Sequence, residues 1–377
     1  MNNSLHFKNG EFKIMSVGDF HESLHLDTHE KRKKREDMHN LIKMGILAFK
    51  PDLIVLLGDI LCKGDESEDF ADYKSALKDI LKPITESKTP FCFVLGNHEH
   101  DTHQEEKIIS AYQEFENCIC ENDSSSGYGH LNYNLLIKNS DKTKDILNLW
   151  FIDSNNLCSD ETVSHYDWVH KEQIEWYEKT ALAIKDANGG NTVPAIVFQH
   201  IPVIEEYELL REAKPIERPL AVKGHGKFSD KYYLLKPDVC GYLGEGPATP
   251  DINCGQFESW KKIGDVKAAF FGHDHLNDFT GTVDSIILGQ NKTSGFGCYT
   301  DGCRSAIRLT TIKEDSPEKI NTKIYHFKEL GLESHSLGPI EKIITDRQSI
   351  NLHKASYLAT GVASAIGIGA LIKKLKK

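Results

Sequence analysis

Seven side chains in this sequence carry nitrogen or oxygen donors that suit metal ions: Asp19, His21, Asp59, Asn97, His200, His273 and His275. They fall in five short polar clusters, each following an apolar run. After Val17 comes G-D-F-H-E. In an extended segment residues two apart share a face, so Asp19 and His21 can reach one cation. After Leu57 comes G-D-I. Gly58 permits a tight exit from a strand, and the two oxygens of Asp59 can bridge two metals. Alone, such an Asp reads equally as the cap of the next turn. After Leu95 comes G-N-H-E. The amide carbonyl of Asn97 is a neutral ligand for a harder cation, while His98 points elsewhere, toward a substrate. The fourth cluster, F-Q-H-I-P, supplies His200, which alone would read as a satisfied core histidine. The fifth, G-H-D-H, places His273 and His275 two apart after a glycine, a metal-binding edge and the most specific element.

Seven such donors are too many for one tetrahedral zinc and suit two cations sharing Asp59. No thiolate is among them, which argues against a structural zinc site. The chemistry this implies is hydrolysis of a phosphate ester. A cation lowers the pKa of bound water toward about 7, and the hydroxide attacks phosphorus while both cations clamp the phosphoryl oxygens. His98 stabilises developing charge or protonates the leaving oxygen, so His98 and Asp59 are the expected catalytic residues. Ligating histidines must be neutral, so activity should fall in acid. Donor types leave the cations open among Mn, Fe, Zn or similar ions. They also leave a phosphodiesterase, acting on a nucleotide or lipid head group, beside the favoured phosphomonoesterase.

Residues around these clusters carry two readings each. Asp274, Asn277 and Asp278 orient imidazoles or build the following turn. Glu245 lies in the Gly-rich G-Y-L-G-E-G-P, which lines a pocket or is only a loop. Glu206 and Tyr207 touch substrate or pack, and Asp153 reads as structural. Ser294 to Gly297 is not a Walker loop, and no G-x-x-x-x-G-K-[ST] occurs, so an ATPase reading fails. A metallopeptidase lacks its H-E-x-x-H.

The elements that must position these clusters alternate between short apolar runs and longer amphipathic stretches, the pattern of an α/β protein. Strands are expected at Ile14 to Val17, Leu53 to Leu57, Phe91 to Leu95, Leu149 to Ile152, Ala195 to Phe198, Ala268 to Phe271 and Ile324 to Phe327. Helices are expected from His29 to a stop at Pro51, from Phe70 to Leu81 and around Trp168 to Ile184. Five of the strands run straight into the five clusters. Sites in open α/β sheets gather at the carboxyl ends of strands, so the clusters are candidates for one shared site.

The series D-x-H, G-D, G-N-H-E, a strand-end His and G-H-D-H resembles the calcineurin-like metallophosphoesterase superfamily. Tyr166 to Tyr177, His200 to Tyr207 and Gly272 to Phe279 look like its purple acid phosphatase-like branch. The resemblance implies a four-layer α/β/β/α sandwich of two mixed sheets flanked by helices. It also implies that Asp19, His21 and His275 hold one metal and Asn97, His200 and His273 the other, with Asp59 between. Purple enzymes carry a tyrosine soon after the bridging Asp and usually a glycine at the place of His21. Here Ile60, Leu61 and Cys62 follow Asp59, so the tyrosinate-to-iron colour is not expected, and the resemblance does not carry Fe(III) over to one site.

The formal charge of -11 argues against a nucleic-acid platform; bound cations would reverse the sign locally for a phosphorylated substrate. The 9 scattered cysteines show no C-x-x-C pair and read as reduced thiols of a cytoplasmic protein. The first residues lack a secretory pattern. The organisation expected is a catalytic domain over 1–330, a polar linker over 331–354 and a weakly apolar segment over 355–377. From Ala355 to Ile372 no charge occurs, and K-K-L-K-K follows. That length suits a short span, but a tail anchor, a surface-lying helix and a frayed tail stay open; the lysines would suit an anionic lipid surface.

Overall fold

The computed structural model describes residues 5–61 and 70–343. Cys62, the linker beyond 343 and the 355–377 segment with its membrane reading lie outside the described residues. Along the chain come β1 (Glu11–Val17), α1 (His29–Phe49), β2 (Leu53–Leu56), α2 (Phe70–Ile80), α3 (Lys82–Ser87), β3 (Phe91–Phe93), α4 (Asn97–His100), α5 (Glu105–Gln113), β4 (Tyr133–Lys138), β5 (Asp145–Phe151) and α6 (Lys171–Ala187). There follow β6 (Ala195–Gln199), β7 (Leu210–Glu212), β8 (Val222–Lys223), β9 (Tyr232–Leu235), α7 (Gln256–Ile263), β10 (Val266–Phe271), β11 (Thr280–Val283), β12 (Ile286–Gln290), β13 (Ala306–Lys313), β14 (Ile320–His326) and α8 (Pro339–Ile343).

Two mixed sheets dominate. The five-stranded one has the order β14-β13-β1-β2-β3, and the six-stranded one β11-β12-β10-β6-β5-β4. A small antiparallel sheet, β7-β9-β8, stands apart; nothing in the sequence pattern signalled it. In the first sheet β1, β2 and β3 are parallel, with Ile14 opposite Leu53 and Ile54 opposite Phe91. In the second, β6 and β10 are parallel, with Phe198 opposite Phe270. The five strands expected to feed the clusters are therefore neighbours within each sheet, and their carboxyl ends gather at one edge.

Alternation of side chains explains the layering. On β6, Ile196 and Phe198 join Leu149, Phe151, Ala268 and Phe270 in the core shared with β1, β2 and β3. The intervening Ala195 and Val197 face the other way, packing with Trp176, Tyr177 and Trp260 of α6 and α7. Removing a ring such as Phe198 from the shared core would cost about 3–5 kcal/mol. On the far side, α1 starts at Thr28, whose side chain accepts from the Lys31 N–H, and ends at Lys50 in a left-handed cap before Pro51. It buries Met38, Leu41, Ile42 and Gly45. A Cβ on Gly45 would stand 2.6 Å from Ile307 Cδ1, so the helix lies directly on the sheet.

The sequence reads as loosening near Ser334 to Gly338, yet this stretch is tied to α1. Asp37 accepts hydrogen bonds from the N–H groups of His335 (2.8 Å) and Ser336 (2.9 Å) and from the buried Ser334 hydroxyl. Period and polarity cannot reveal such a distant partner. No described helix is long and apolar enough to cross a membrane.

Candidate metal centre

All seven donor residues meet at the shared strand edge. Asp19, His21 and His275 form one group whose ligand atoms lie within 4.8 Å of one another, and Asp59, His200 and His273 form a second. Asn97 joins the second through Oδ1, 3.1 Å from His200 Nε2. Asp59 stands between the groups: its Oδ2 lies 3.3 Å from His21 Nε2 and 3.2 Å from His200 Nε2.

The backbone reaches this geometry by an unexpected route. An extended D-x-H segment does not account for the pairing of Asp19 with His21. Asp19 (φ 53°), His21 (φ 44°), Asp59 (φ 53°) and His273 (φ 74°) all adopt the left-handed region. For non-glycine residues this costs about 1–3 kcal/mol each, and it persists only where the surroundings over-determine it. Here they do. Asp19 N donates to Gly58 O and His21 N to Asp59 O, each at 3.0 Å, carrying the β1–β2 pairing past the strand ends. The Thr293 hydroxyl donates to Asp19 O at 2.6 Å, and Ser294 N donates to Gly18 O at 3.0 Å. Glu99 clamps the second turn by accepting from the N–H groups of Asp59 (2.8 Å), Ile60 (2.9 Å) and Gly96 (2.8 Å). Gly58 leaves β2 with φ 87°. A Cβ on Gly96 would fall 2.1 Å from Asp59 Oδ1, so only glycine fits there.

Tautomers are set by backbone carbonyls. His200 Nδ1 faces Leu57 O at 2.6 Å and His275 Nδ1 faces Tyr299 O at 3.0 Å. Each Nδ1 therefore carries a proton. His275 turns its Nε2 lone pair into the cluster. Burial alone would lower the pKa of His200, but the charge of Asp59 raises it to about 10, so its Nε2 proton would have to yield to a cation. His21 Nε2 and His275 Nε2 approach to 2.9 Å. Asp19 Oδ2 is buried with no hydrogen-bond partner, and His273 Nδ1 faces His200 Nε2 at 3.3 Å. Converging ring nitrogens and an orphaned buried oxygen are what a cation pair would satisfy, so the residues fit the group. Without cations the charges must be shared by protons. Burial pushes the Asp59 carboxyl up, but the charge of His200 and the hydrogen bonds of His200 and His21 outweigh it and hold the carboxyl well below its usual range. Burial pushes Asp19 up. Burial, and then the charge of His21, push His275 down to about 3.

His98 sits at the rim, its side chain 30% exposed, with Nε2 4.0 Å from Asp59 Oδ2. Its Nδ1 is held by Asp101 Oδ2 at 2.9 Å, and its N–H donates to Asp59 Oδ1 at 2.9 Å. Asp101 escaped the sequence reading, although a carboxylate three residues on in a short helix could have signalled it. Two rings flank the ligands: Tyr299 stacks on His275 (centroids 4.1 Å) and Tyr166 meets His273 edge-on (4.6 Å). Nothing local marks Tyr299.

The surrounding residues resolve mostly as loop anchors. Asp274 accepts from Ala248 N and Asn277 Nδ2, Asn277 from Gly244 N and Glu245 N, and Asp278 from Tyr242 N. They fasten the Gly-rich loop to the G-H-D-H turn. Glu245 accepts from Leu276 N (2.8 Å) and the Tyr299 hydroxyl (3.0 Å), holding Tyr299 over His275. Tyr207 donates to Pro247 O, and buried Glu206 accepts from Gln290. Asp153 accepts from His100 Nε2 and from the His130 and Asn155 N–H groups.

Known proteins resemble this chain in sequence. The protein named probable inactive purple acid phosphatase 29 of Arabidopsis thaliana is 29% identical over 318 residues, covering 77% of this chain and 74% of its own. The one named probable inactive purple acid phosphatase 14, from the same plant, is 26% identical over 315 residues, covering 77% and 72%. Among solved structures, a dimetal phosphatase from Danio rerio superposes with a TM-score of 0.48 at 11% identity, over 84% of this chain and 99% of that one. The family model described as calcineurin-like phosphoesterase matches residues 12–277, which hold every one of the seven donors. The chain belongs to the calcineurin-like phosphoesterase family.

Proposed function

We propose that this protein is a dinuclear metal-dependent hydrolase of phosphate esters, with phosphomonoesters as the favoured substrates. One observation carries the reading: the buried Asp59 carboxylate stands between two donor groups, within 3.3 Å of His21 in one and 3.2 Å of His200 in the other, and His98 stands beside them at the solvent rim. Asp19, His21 and His275 would hold one cation and Asn97, His200 and His273 the other. A bound pair of cations supplies a nucleophilic hydroxide at neutral pH and neutralises phosphoryl charge. The chain's own residues do the rest. Leu57 O and Tyr299 O keep His200 and His275 in the ligating tautomer. Asp101 orients His98, leaving its Nε2 side to donate a hydrogen bond to a phosphoryl oxygen or a proton to the leaving oxygen.

The Arabidopsis relatives bear phosphatase names, which favours the monoester, and are also named inactive. A scaffold that had lost catalysis should lack a donor. Here all seven donors and His98 are in place. The test is turnover of an aryl monophosphate against a bis-aryl phosphate by the metal-loaded protein, with metal content measured alongside. Turnover of neither ester at full metal content would leave the scaffold.

A further inference from the structure

A second set of metal donors lies outside this centre. His100 closes α4, Glu105 opens α5 and His130 stands in the loop before β4, and one ligand atom from each lies within 4.8 Å of the others. One buried carboxylate holds the ring of His100 and the main chain of His130. Asp153 Oδ1 accepts from His100 Nε2 at 2.8 Å, and Asp153 Oδ2 accepts from the His130 N–H at 2.7 Å. With its Nε2 proton given to Asp153, His100 turns Nδ1 toward Glu105 Oε1, 3.3 Å away. A carboxylate behind a histidine fixes the tautomer and raises the basicity of the outward nitrogen, the arrangement behind metal-ligating histidines. The His130 ring faces His100 with centroids 5.6 Å apart. Its Nε2 lies 4.0 Å from Glu105 and its Nδ1 3.6 Å from Glu106.

We propose that His100, Glu105 and His130 form a separate site for a divalent transition-metal ion such as zinc. Two imidazoles and a carboxylate are a familiar zinc donor set, and a water or Glu106 completes the shell. The half-exposed His130 gives the ion a way in, while His100 is 7% and Glu105 13% exposed at the side chain. Asp153, Glu105 and Glu106 place three carboxylates around the two imidazoles, an excess of acceptors that suits a divalent ion. An ion here would fasten the end of α4, whose first residues are Asn97 and His98, to α5 and to Asp153 at the end of β5.

The test uses the full chain, stripped with a chelator and titrated with zinc alone, with bound metal counted after gel filtration. His130→Ala and Glu105→Gln alter partly exposed side chains and should fold as wild type. Each should bind one ion fewer per chain, and zinc should raise their Tm less than that of wild type. Equal stoichiometry and equal Tm gain in wild type and both variants would overturn the proposal. A His200→Ala chain separates the two sites: it should lose binding at the strand-edge centre yet still take up the ion that His130→Ala loses. Should His200→Ala instead abolish all binding, the separate site does not exist.

Discussion

The Nε2 atoms of His21 and His275 lie 2.9 Å apart, and the second of these nitrogens has no proton of its own to offer. Tyr299 O takes the Nδ1 proton of His275, so its Nε2 presents a lone pair. Two ring nitrogens at that distance need a proton or a cation between them. An N–H of His21 can fill that place in the metal-free protein; a cation also drawing on Asp19 and Asp59 would fill it in the loaded one. The same logic holds at His200, whose Nε2 faces Asn97 Oδ1 and Asp59 Oδ2.

Asp59 is where the two groups join, so Asp59→Asn should disturb both. Substituting residues that merely orient ligands lowers metal affinity or activity about 10- to 100-fold, and a shared ligand should cost at least the upper figure. Metal content per chain should drop below that of wild type, and turnover should fall about 100-fold or more. Chelation should silence the wild type, and Mn or Zn should restore it. An Asp59→Asn protein with undiminished metal and turnover would remove Asp59 from the bridging position.

His98 makes a different prediction because it stands at the solvent rim, with Nε2 4.0 Å from Asp59 Oδ2, although its ring also comes within ligand reach of His21 and Asp59. His98→Ala should keep its metals and lose about 100- to 10,000-fold in turnover, the usual worth of a positioned acid or base. The loss should be larger for an alkyl phosphate than for a nitrophenyl phosphate, since a nitrophenolate departs without a proton. Equal losses on both would assign His98 to charge stabilisation rather than proton donation.

The donors were legible because apolar runs such as Leu53 to Leu57 and Ala268 to Phe271 end abruptly in G-D and G-H-D-H, and strand ends are where α/β proteins collect ligands. The means of bringing them together was not. Left-handed backbone at Asp19, His21, Asp59 and His273 is imposed by distant partners, among them the Thr293 hydroxyl and the Glu99 carboxylate. Local propensity carries no trace of a contact 274 residues away. Tyr299 and the tie between Asp37 and Ser334 were hidden for the same reason. The two readings left open for Asp274, Asn277 and Asp278 turned on which backbone groups lay nearby, which only the fold supplies.

Gly96 tests whether the close approach to Asp59 matters. Its φ is -94°, so an alanine there meets no backbone penalty, and the clash of its Cβ with Asp59 Oδ1 and N is isolated. Overpacking of this kind costs about 1–3 kcal/mol. Gly96→Ala should therefore lower Tm by several degrees and reduce metal occupancy. A variant with wild-type Tm and full metal content would mean that β2 and the G-N-H-E turn can separate without consequence.

Glu206 gives a pH dependence with a definite sign. The side chain is fully buried, accepts one hydrogen bond from Gln290 at 2.9 Å, and leaves Oε1 without a partner. Burial, only partly opposed by Gln290 and the charge of Arg308, pushes its carboxyl up to about 8. In the unfolded chain the same group titrates near about 4.3. Between those values the folded state holds a proton that the unfolded state has released, so stability declines as pH rises through this window and levels off above it. The neutral amide of a Glu206→Gln variant has no such proton to release. Melting curves at matched metal loading should then coincide near pH 4.5 and diverge upward, with the variant melting higher at pH 8.5. Parallel curves for the two proteins across that range would show that Glu206 ionises normally, through a water that reaches Oε1.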